Sequence, residues 1–431
     1  MKAQLALLLV PFGIWAQGRF DVVELPKPEG NTYRYAQSEP SIAISPKNPK
    51  HVIAGSILNN YYYSKDGGHS WKSKMIESPY GVYGDPVTLF DQKSRVYYFH
   101  LSNYKKTSYL DRIVCQSAKK YCKKFNEGTF PSPNGTKVQD KHWVVVNPEN
   151  NELYMTWTQF DEYNSSDPKD SSVIVFSKSN DQGRTWSEPR RISHFAGDCL
   201  DSDETVEGAV PAVGPDGEVY VTWTGPKGLV MQKSMDAGET WLPVEKILGP
   251  QLGGWDINVP GMCRANGLPV LKCDLSDGPH RGTLYLNWTD QRNGEDNTDV
   301  FLMKSIDGGE TWTAPARVNQ DKSERHQFFT WMDVDPSTGY LYFAYYDRRN
   351  TTENDTEVFL SYSWDGGATF HDELISKEPF TPDSTFFFGD YLNIAAVEGK
   401  IRPIWPSYHE GNVKLWVAII DEMDFMKVKD D

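Results

Sequence analysis

Short apolar runs alternate with polar turns along almost the whole chain, and the alternation has one grammar. An apolar strand ends in a turn, a second strand rich in Tyr and Trp follows, then a polar loop, then a third strand. PSIAISP with HVIAGSI, HWVVVNP with ELYMTWT, AVPAVGP with EVYVTWT and WMDVDPSTG with LYFAYYD show it most clearly, and LPVLKCD with TLYLNWT is a looser copy. Short runs of this kind, bounded by turn residues, read as β-strands.

In five places the third strand runs into a shared octapeptide: SKDGGHSW (64–71), SNDQGRTW (179–186), SMDAGETW (234–241), SIDGGETW (305–312) and SWDGGATF (363–370). All fit S-x-D-x-G-x-[ST]-[WF]. The Asp carboxylate can accept hydrogen bonds from amides of its own turn, and the shared Gly (Gly68, Gly183, Gly238, Gly309, Gly367) can take positive φ. Each box is therefore a hairpin tip, and its aromatic starts the returning strand.

The first gap between boxes is about twice the others. It contains a unit without a box, GDPVTLFDQKSRVYYFHLS (84–102) followed by RIVCQSAKKYCKKF, in which Cys115 and Cys122 occupy the hairpin and are close enough to staple it. After the last box, YLNIAAVEG, KIRPIWPS and VKLWVAII supply three strands, and RFDVVELP (19–26) supplies a fourth. Seven four-stranded units closed by the N-terminal strand predict an all-β chain folded as a single β-propeller. Six blades is the alternative, if the first or last unit is irregular. No linker separates a second domain, so the propeller spans 17–421 and a loose tail covers 422–431.

The opening MKAQLALLLVPFGIWAQG, with one Lys, an apolar run and Ala16 at a cleavage position, reads as a signal peptide over residues 1–16 and places the protein outside the cytoplasm, secreted, periplasmic or at the cell surface. No later stretch is apolar enough to span a membrane. A net charge of −15 argues against nucleic acid as a partner, so an anionic ligand must be held by local arginines.

The five boxes resemble the Asp-boxes, or BNR repeats, of the sialidase (neuraminidase) superfamily, and the likeness spans almost the whole mature chain. In such a propeller the box tips face away from the loops that enter each blade and from the second-to-third-strand loops, so chemistry belongs on the latter face. The entry loops include RYAQSEP (34–40), YGVYGDP (80–86), QDKHW (139–143), DSDETVEGAV (201–210), GGWDINVPGMCRANG (253–267), SERHQFF (323–329) and FFFGDY (386–391). Charged and aromatic side chains crowd them.

The resemblance implies three arginines on a sugar carboxylate, a Tyr nucleophile activated by a Glu, and an Asp that protonates the leaving group. Carried onto this chain, Asp85 is the acid, Glu207 in EGAVPAVGPDG the base and Tyr391 the nucleophile. Arg34, Arg264 or Arg292, and Arg325 or Arg348 are the binding arginines. The chain departs from the pattern where SEPS (38–41) replaces the family's F-R-I-P opening, and where TWTG follows the second strand of the Glu207 unit. Each residue also has a structural reading: Arg292 and Arg348, each between Asp and Asn, can pair with neighbouring acids, and His142 and His326 can be core histidines.

No cofactor is implied, although the Asp-rich loops 198–207 and 294–299 could hold a structural calcium. The expectation is a sialidase-like, glycan-active enzyme, hydrolase or lyase, acting on a carboxylate-bearing sugar such as sialic or uronic acid within an acidic glycan. The alternative is a non-catalytic BNR-repeat propeller that binds glycan or protein at the cell surface.

Overall fold

Seven sheets stand in a ring around one axis. The structure, a computed structural model, describes residues 19–103, 110–121 and 123–426, so the expected signal peptide and Cys122 lie outside the described residues. Blade 1 is Ser41–Ile44, Val52–Ser56, Asn60–Ser64 and Lys72–Met75; blade 2 is Gly84–Phe90, Val96–Leu101 and Ile113–Ala118. Blade 3 is Val138–Val146, Leu153–Phe160, Ser172–Ser179 and Arg190–Arg191; blade 4 is Glu207–Val213, Val219–Thr224, Leu229–Ser234 and Lys246–Gly249. Blade 5 is Val270–Cys273, Leu284–Asp290, Asp299–Ser305 and Ala316–Arg317; blade 6 is Gln327–Val334, Leu341–Asp347, Glu357–Ser363 and His371–Leu374. Blade 7 is Asn393–Val397, Lys400–His409 and Asn412–Asp421, with Asp21–Glu24 as its outermost strand.

The first strands of successive blades touch one another all the way round, blade 7 against blade 1 included. Asp21 pairs with Ile419 and Glu24 with Trp416, so the N-terminal strand closes the ring as the sequence pattern implies. Burial falls outward along each blade. Val96–Leu101 and Val219–Thr224, both second strands, are buried throughout, whereas the fourth strand Lys72–Met75 is largely exposed. A strand covered on both faces has no polar face to alternate with, which is why second strands read as unbroken apolar and aromatic runs.

Blade 2 replaces its fourth strand with a bridge in which Cys115 and Thr129 exchange both backbone hydrogen bonds. Residues 422–426, expected to be loose, form a helical turn whose Phe425 is buried against Tyr362, with ring centroids 4.3 Å apart. A small two-stranded ribbon, Asp256–Ile257 with Ala265–Asn266, sits in the loop entering blade 5 and had no signature in the pattern.

All five boxes share one hydrogen-bond pattern. In the blade 4 box the Ser234 hydroxyl donates to Asp236 at 2.8 Å and accepts the Gly238 amide at 2.8 Å, while Asp236 accepts the Thr240 amide at 2.7 Å and hydroxyl at 2.6 Å. The Thr240 hydroxyl and amide, then Ser234, hold the Asp236 carboxyl down at about 2. The box glycines meet a second requirement. Each lies against the preceding blade, where an added Cβ would overlap Ile419, Cys115, Phe176, Met231 and Leu302 at Gly68, Gly183, Gly238, Gly309 and Gly367 respectively. The boxes are thus the contacts that stack one blade on the next.

Gly238 and Gly282 have nearly equal φ, 85° and 86°, but Gly282 has only Pro215 nearby, at 3.5 Å from a built Cβ. Gly282→Ala should therefore cost only the left-handed strain, about 1–2 kcal/mol, and Gly238→Ala roughly 1–3 kcal/mol more from the Phe176 overlap. Urea unfolding of the two variants checks this, and equal losses would refute the stacking role.

Candidate active site

The first strands converge on the axis at the face opposite the boxes, and in four blades the chain bends there. In blades 2, 3, 4 and 6 two residues of the first strand oppose one of the second, and the leading residue of each pair has positive φ: Asp85 (49°), Lys141 (47°), Gly208 (74°) and Phe329 (52°). Glu39, at φ 50°, precedes Pro40 at the entry to blade 1. Such bulges re-aim a side chain, and holding a non-glycine residue left-handed costs on the order of 1 kcal/mol. Strain of this kind persists where the surroundings fix it, often at functional sites.

The re-aimed side chains form a buried ionic cluster. Lys141 Nζ lies 2.6 Å from Asp390 Oδ2 and 3.7 Å from Asp85 Oδ2. Arg264, from the loop entering blade 5, donates Nε to Asp390 Oδ1 at 2.6 Å, donates Nη2 to the other oxygen of that carboxylate, and reaches Asp201 Oδ2 at 3.1 Å. The Tyr163 hydroxyl donates to the same Asp201 oxygen at 2.6 Å. Blades 2, 3 and 7 and the loops entering blades 4 and 5 are joined through this chain of charges.

Burial opposes ionisation of Asp390, but Lys141 and Arg264 more than offset it and hold its carboxyl below the usual range. Lys141 is opposed by burial in the same way and is kept charged by Asp390, Asp85 and Asp140. The remaining acids go the other way. Glu39 is pushed well up by burial and then by Asp85, and Asp140 by burial to about 7. Glu207 is pushed well up by burial and then by Asp201, with which its protonated carboxyl shares a hydrogen bond; it is 1% exposed, and no other side chain or amide donates to either of its oxygens. It therefore stands as a neutral acid beside two cations, Lys141 and Arg264, in the wall of a cavity of about 20 Å³, the space of a single water. Trp255 is shared between that cavity and a groove of about 620 Å³ over blade 4, bounded by Asp203, Lys227 and Gln251.

Tyr391 lies edge-on to Trp143, with centroids 5.3 Å apart, and 6.2 Å from Trp331. Trp143 and Trp331, 4.2 Å apart, close the axis, and a mainly apolar cavity of about 290 Å³ lies on their far side among the other ends of the first strands. Burial, then Asp85 and Glu39, push the Tyr391 hydroxyl well up.

Of the residues expected from sequence, Glu207 and Arg264 line the small cavity, Asp85 joins the cluster through Lys141, and Tyr391 stands beside it without lining the cavity. The charges acting most strongly on the Tyr391 hydroxyl are Asp85 and Glu39, not Glu207. The other arginines are engaged elsewhere. Arg292 clasps Asp290, at 2.9 Å from Nε and 2.5 Å from Nη2, over the Phe301 ring, because its own strand end supplies the acid. Arg34 sits on the rim, donating to the Gly411 carbonyl at 2.6 Å over Phe386. Arg348 is buried in blade 6, donating to Thr356 Oγ1 at 3.1 Å, and Arg325 donates to the Glu353 carbonyl at 2.5 Å. Their expected convergence on the basin does not occur.

Lys141, Asp390, Glu39, Asp140 and Asp201 are basin residues that sequence reasoning did not assign. The signal available was position, since all stand in the entry loops. His142 is a core histidine, lowered to about 3 by burial.

Among the described residues no group of three or more His, Cys, Asp or Glu is arranged to hold a metal ion. The acids of loop 198–207 are engaged internally: Asp198 accepts Leu200 N and Thr205 Oγ1, and Asp203 accepts the Trp255 and Asp256 amides.

No protein-family model and no curated protein matches the chain. Solved structures match its fold. An ulvan lyase, described as a new family of polysaccharide lyase, is 11% identical over 90% of this chain and 96% of its own, with a TM-score of 0.53. The NanB sialidase of Streptococcus pneumoniae is 10% identical over 87% and 83%, with a TM-score of 0.49. A Trypanosoma rangeli sialidase is 14% identical over 83% of this chain and 57% of its own, with a TM-score of 0.44, so this chain spans a little over half of it. The likeness is one of fold, the seven-bladed propeller.

Two outcomes follow from the ionic cluster. Asp390→Asn leaves the buried Lys141 and the solvent-accessible Arg264 without their shared carboxylate, and should destabilise the fold, chiefly through Lys141, by roughly 3 kcal/mol in chemical denaturation. Asp140, raised to about 7 from an unfolded value of about 3.9, contributes stability that is fully present below about pH 4 and is lost as pH rises through about 7. Unfolding curves measured from pH 4 to 8 should slope downward in that window, and Asp140→Asn should flatten the slope.

Proposed function

We propose that the protein is a glycan-active enzyme, hydrolase or lyase, that uses the axial basin on a carboxylate-bearing sugar. One observation carries the reading: Glu207 is a buried carboxyl that no protein donor reaches and whose proton affinity is raised, bordering a cavity lined by Arg264 and Lys141. A buried carboxyl with its proton affinity raised is suited to donate a proton to a leaving oxygen. Arg264 and Lys141 are the cations within reach of a substrate carboxylate. Tyr391, backed by Asp85 and Glu39, is the group placed to act as nucleophile or base. The groove over blade 4 gives a polymeric substrate room beside the basin, which argues for a chain rather than a free monosaccharide. We further propose that the protein is exported before it acts.

Neighbours of the same fold guide the choice of substrates. They include sialidases and an ulvan lyase bound to -[GlcA(1-4)Rha3S]-. A second reading, a propeller that only binds glycan, is favoured by one feature: Lys141, Arg264 and Asp390 already neutralise one another and leave little space between them.

Sialosides, uronosides and sulfated or plain polyuronates, assayed from pH 5 to 8, distinguish the two. The enzyme reading expects turnover of one class, with a loss of at least about 100-fold in Glu207→Gln and in Tyr391→Phe while glycan binding persists. Binding without product in the wild type, unchanged in both variants, would establish the second reading instead.

A further inference from the structure

Blade 6 carries two guanidinium groups that the axial basin does not use. Arg348 is 1% exposed, and its Nη2 has no hydrogen-bond acceptor. Arg325 is part-exposed, and its buried Nε also has no acceptor. Among the described residues these are the arginines with buried, unpartnered N–H groups, and neither has a carboxylate within ion-pair distance. The contrast with other buried and part-buried arginines is plain: Arg112 pairs with Asp111, Arg292 with Asp290, Arg349 with Asp347 and Asp372, and Arg402 with Asp421. In a chain with 59 acidic residues against 44 basic ones, acids are not in short supply.

The two arginines belong to one local cluster. The Arg348 amide donates to the His326 carbonyl at 3.1 Å, which ties the second-to-third loop of blade 6 to the entry segment that holds Arg325. His326 feels the charge of both arginines, and its Nδ1 lies 3.1 Å from Thr298 Oγ1. Among the described residues the aromatic support for Arg348 is the Phe328 ring, 5.3 Å from its Cζ. Two like charges held together with dry, unbonded donors are costly, and such a pair is relieved by an anion whose oxygens accept from both forks.

We propose that Arg325 and Arg348 form a second anion site, on blade 6 and apart from the axial basin, that takes one oxyanion, either a carboxylate or a sulfate ester. Neither residue lines the basin cavity, so the site stands whether or not the basin is catalytic. On an acidic polysaccharide it would hold a charged group of a residue away from the reacting one and so set the position of the chain.

His326 reports on the site. Burial first, then Arg348, and then Arg325 against an opposing Asp296, lower its imidazole to about 4. Asp355 is the other charge facing the pair, acting on Arg348. An anion seated between the arginines cancels part of their field and must raise the His326 value.

The test follows the His326 ring signals by NMR through a pH titration of the full chain, in sodium sulfate, sodium trifluoroacetate or sodium chloride at matched ionic strength, all three anions staying ionised through the titration. Saturable binding of sulfate or trifluoroacetate, with His326 rising by about one pKa unit, is the expected result. A response to sulfate alone assigns a sulfate ester, and to trifluoroacetate alone a carboxylate. Arg325→Gln, on a part-exposed side chain, should abolish the anion-dependent shift, and Arg348→Gln serves as a second variant where it folds. A shift matched by chloride, or no saturable shift with either oxyanion, or a shift that survives Arg325→Gln, overturns the proposal.

Discussion

The rest of the molecule is arranged around the charge on Asp390. A seven-bladed ring brings seven strand starts to one axis, where there is little water to solvate what they carry. A buried carboxylate there is tolerated only because Lys141 comes from blade 3 and Arg264 from the loop entering blade 5, and those two cations in turn draw in Asp85 and Asp201. Burial, and then the neighbouring carboxylates, raise the proton affinity of Glu39 and Glu207, and burial raises that of Asp140 although Lys141 opposes it. Acids of raised proton affinity beside fixed cations are what make the basin chemically interesting, and they follow from burial at the axis rather than from any one motif.

Scaffold and site divide between the two faces for a physical reason. On the box face the Ser, Asp and Ser or Thr of each turn satisfy one another within eight residues, and the glycine leaves room for the preceding blade to pack against it. On the other face the loops vary in length, the first strands bulge, and the central charges are satisfied by partners from other blades. A local rule can repeat five times, whereas a partnership across the ring occurs once.

That difference explains what the sequence disclosed. The boxes were legible because Ser, Asp and Gly answer one another within a turn, and the closing strand because RFDVVELP was the only strand-like segment left to complete the last unit. Blade 5's extra ribbon, Asp256–Ile257 with Ala265–Asn266, was hidden in an irregular loop. At the site, Arg292 shows the limit: DQRN holds both the arginine and the Asp290 that occupies it, so local spacing supported pairing and ligand binding equally. Lys141 had only its place in an entry loop to mark it, because its role depends on Asp390, which lies 249 residues away. The substitution of Asp85 and Glu39 for Glu207 as the neighbours of Tyr391 likewise depends on which blades face each other across the axis.

The pairing of Asp21–Glu24 with Trp416–Ile419 fixes an order of events in folding. Six blades are built from contiguous segments and can form as each is made, but the seventh joins the two ends of the folded chain. Until the last strand arrives, blade 7 is missing, the inner strand of blade 1 has no neighbour on one side, and Asp390 is not yet on the axis to meet Lys141. A contact of such sequence separation is slow to form, and the unfinished ring carries open strand edges while it waits. The basin is therefore the last part of the molecule to exist: a truncated or stalled chain can hold most of its blades and still have no site.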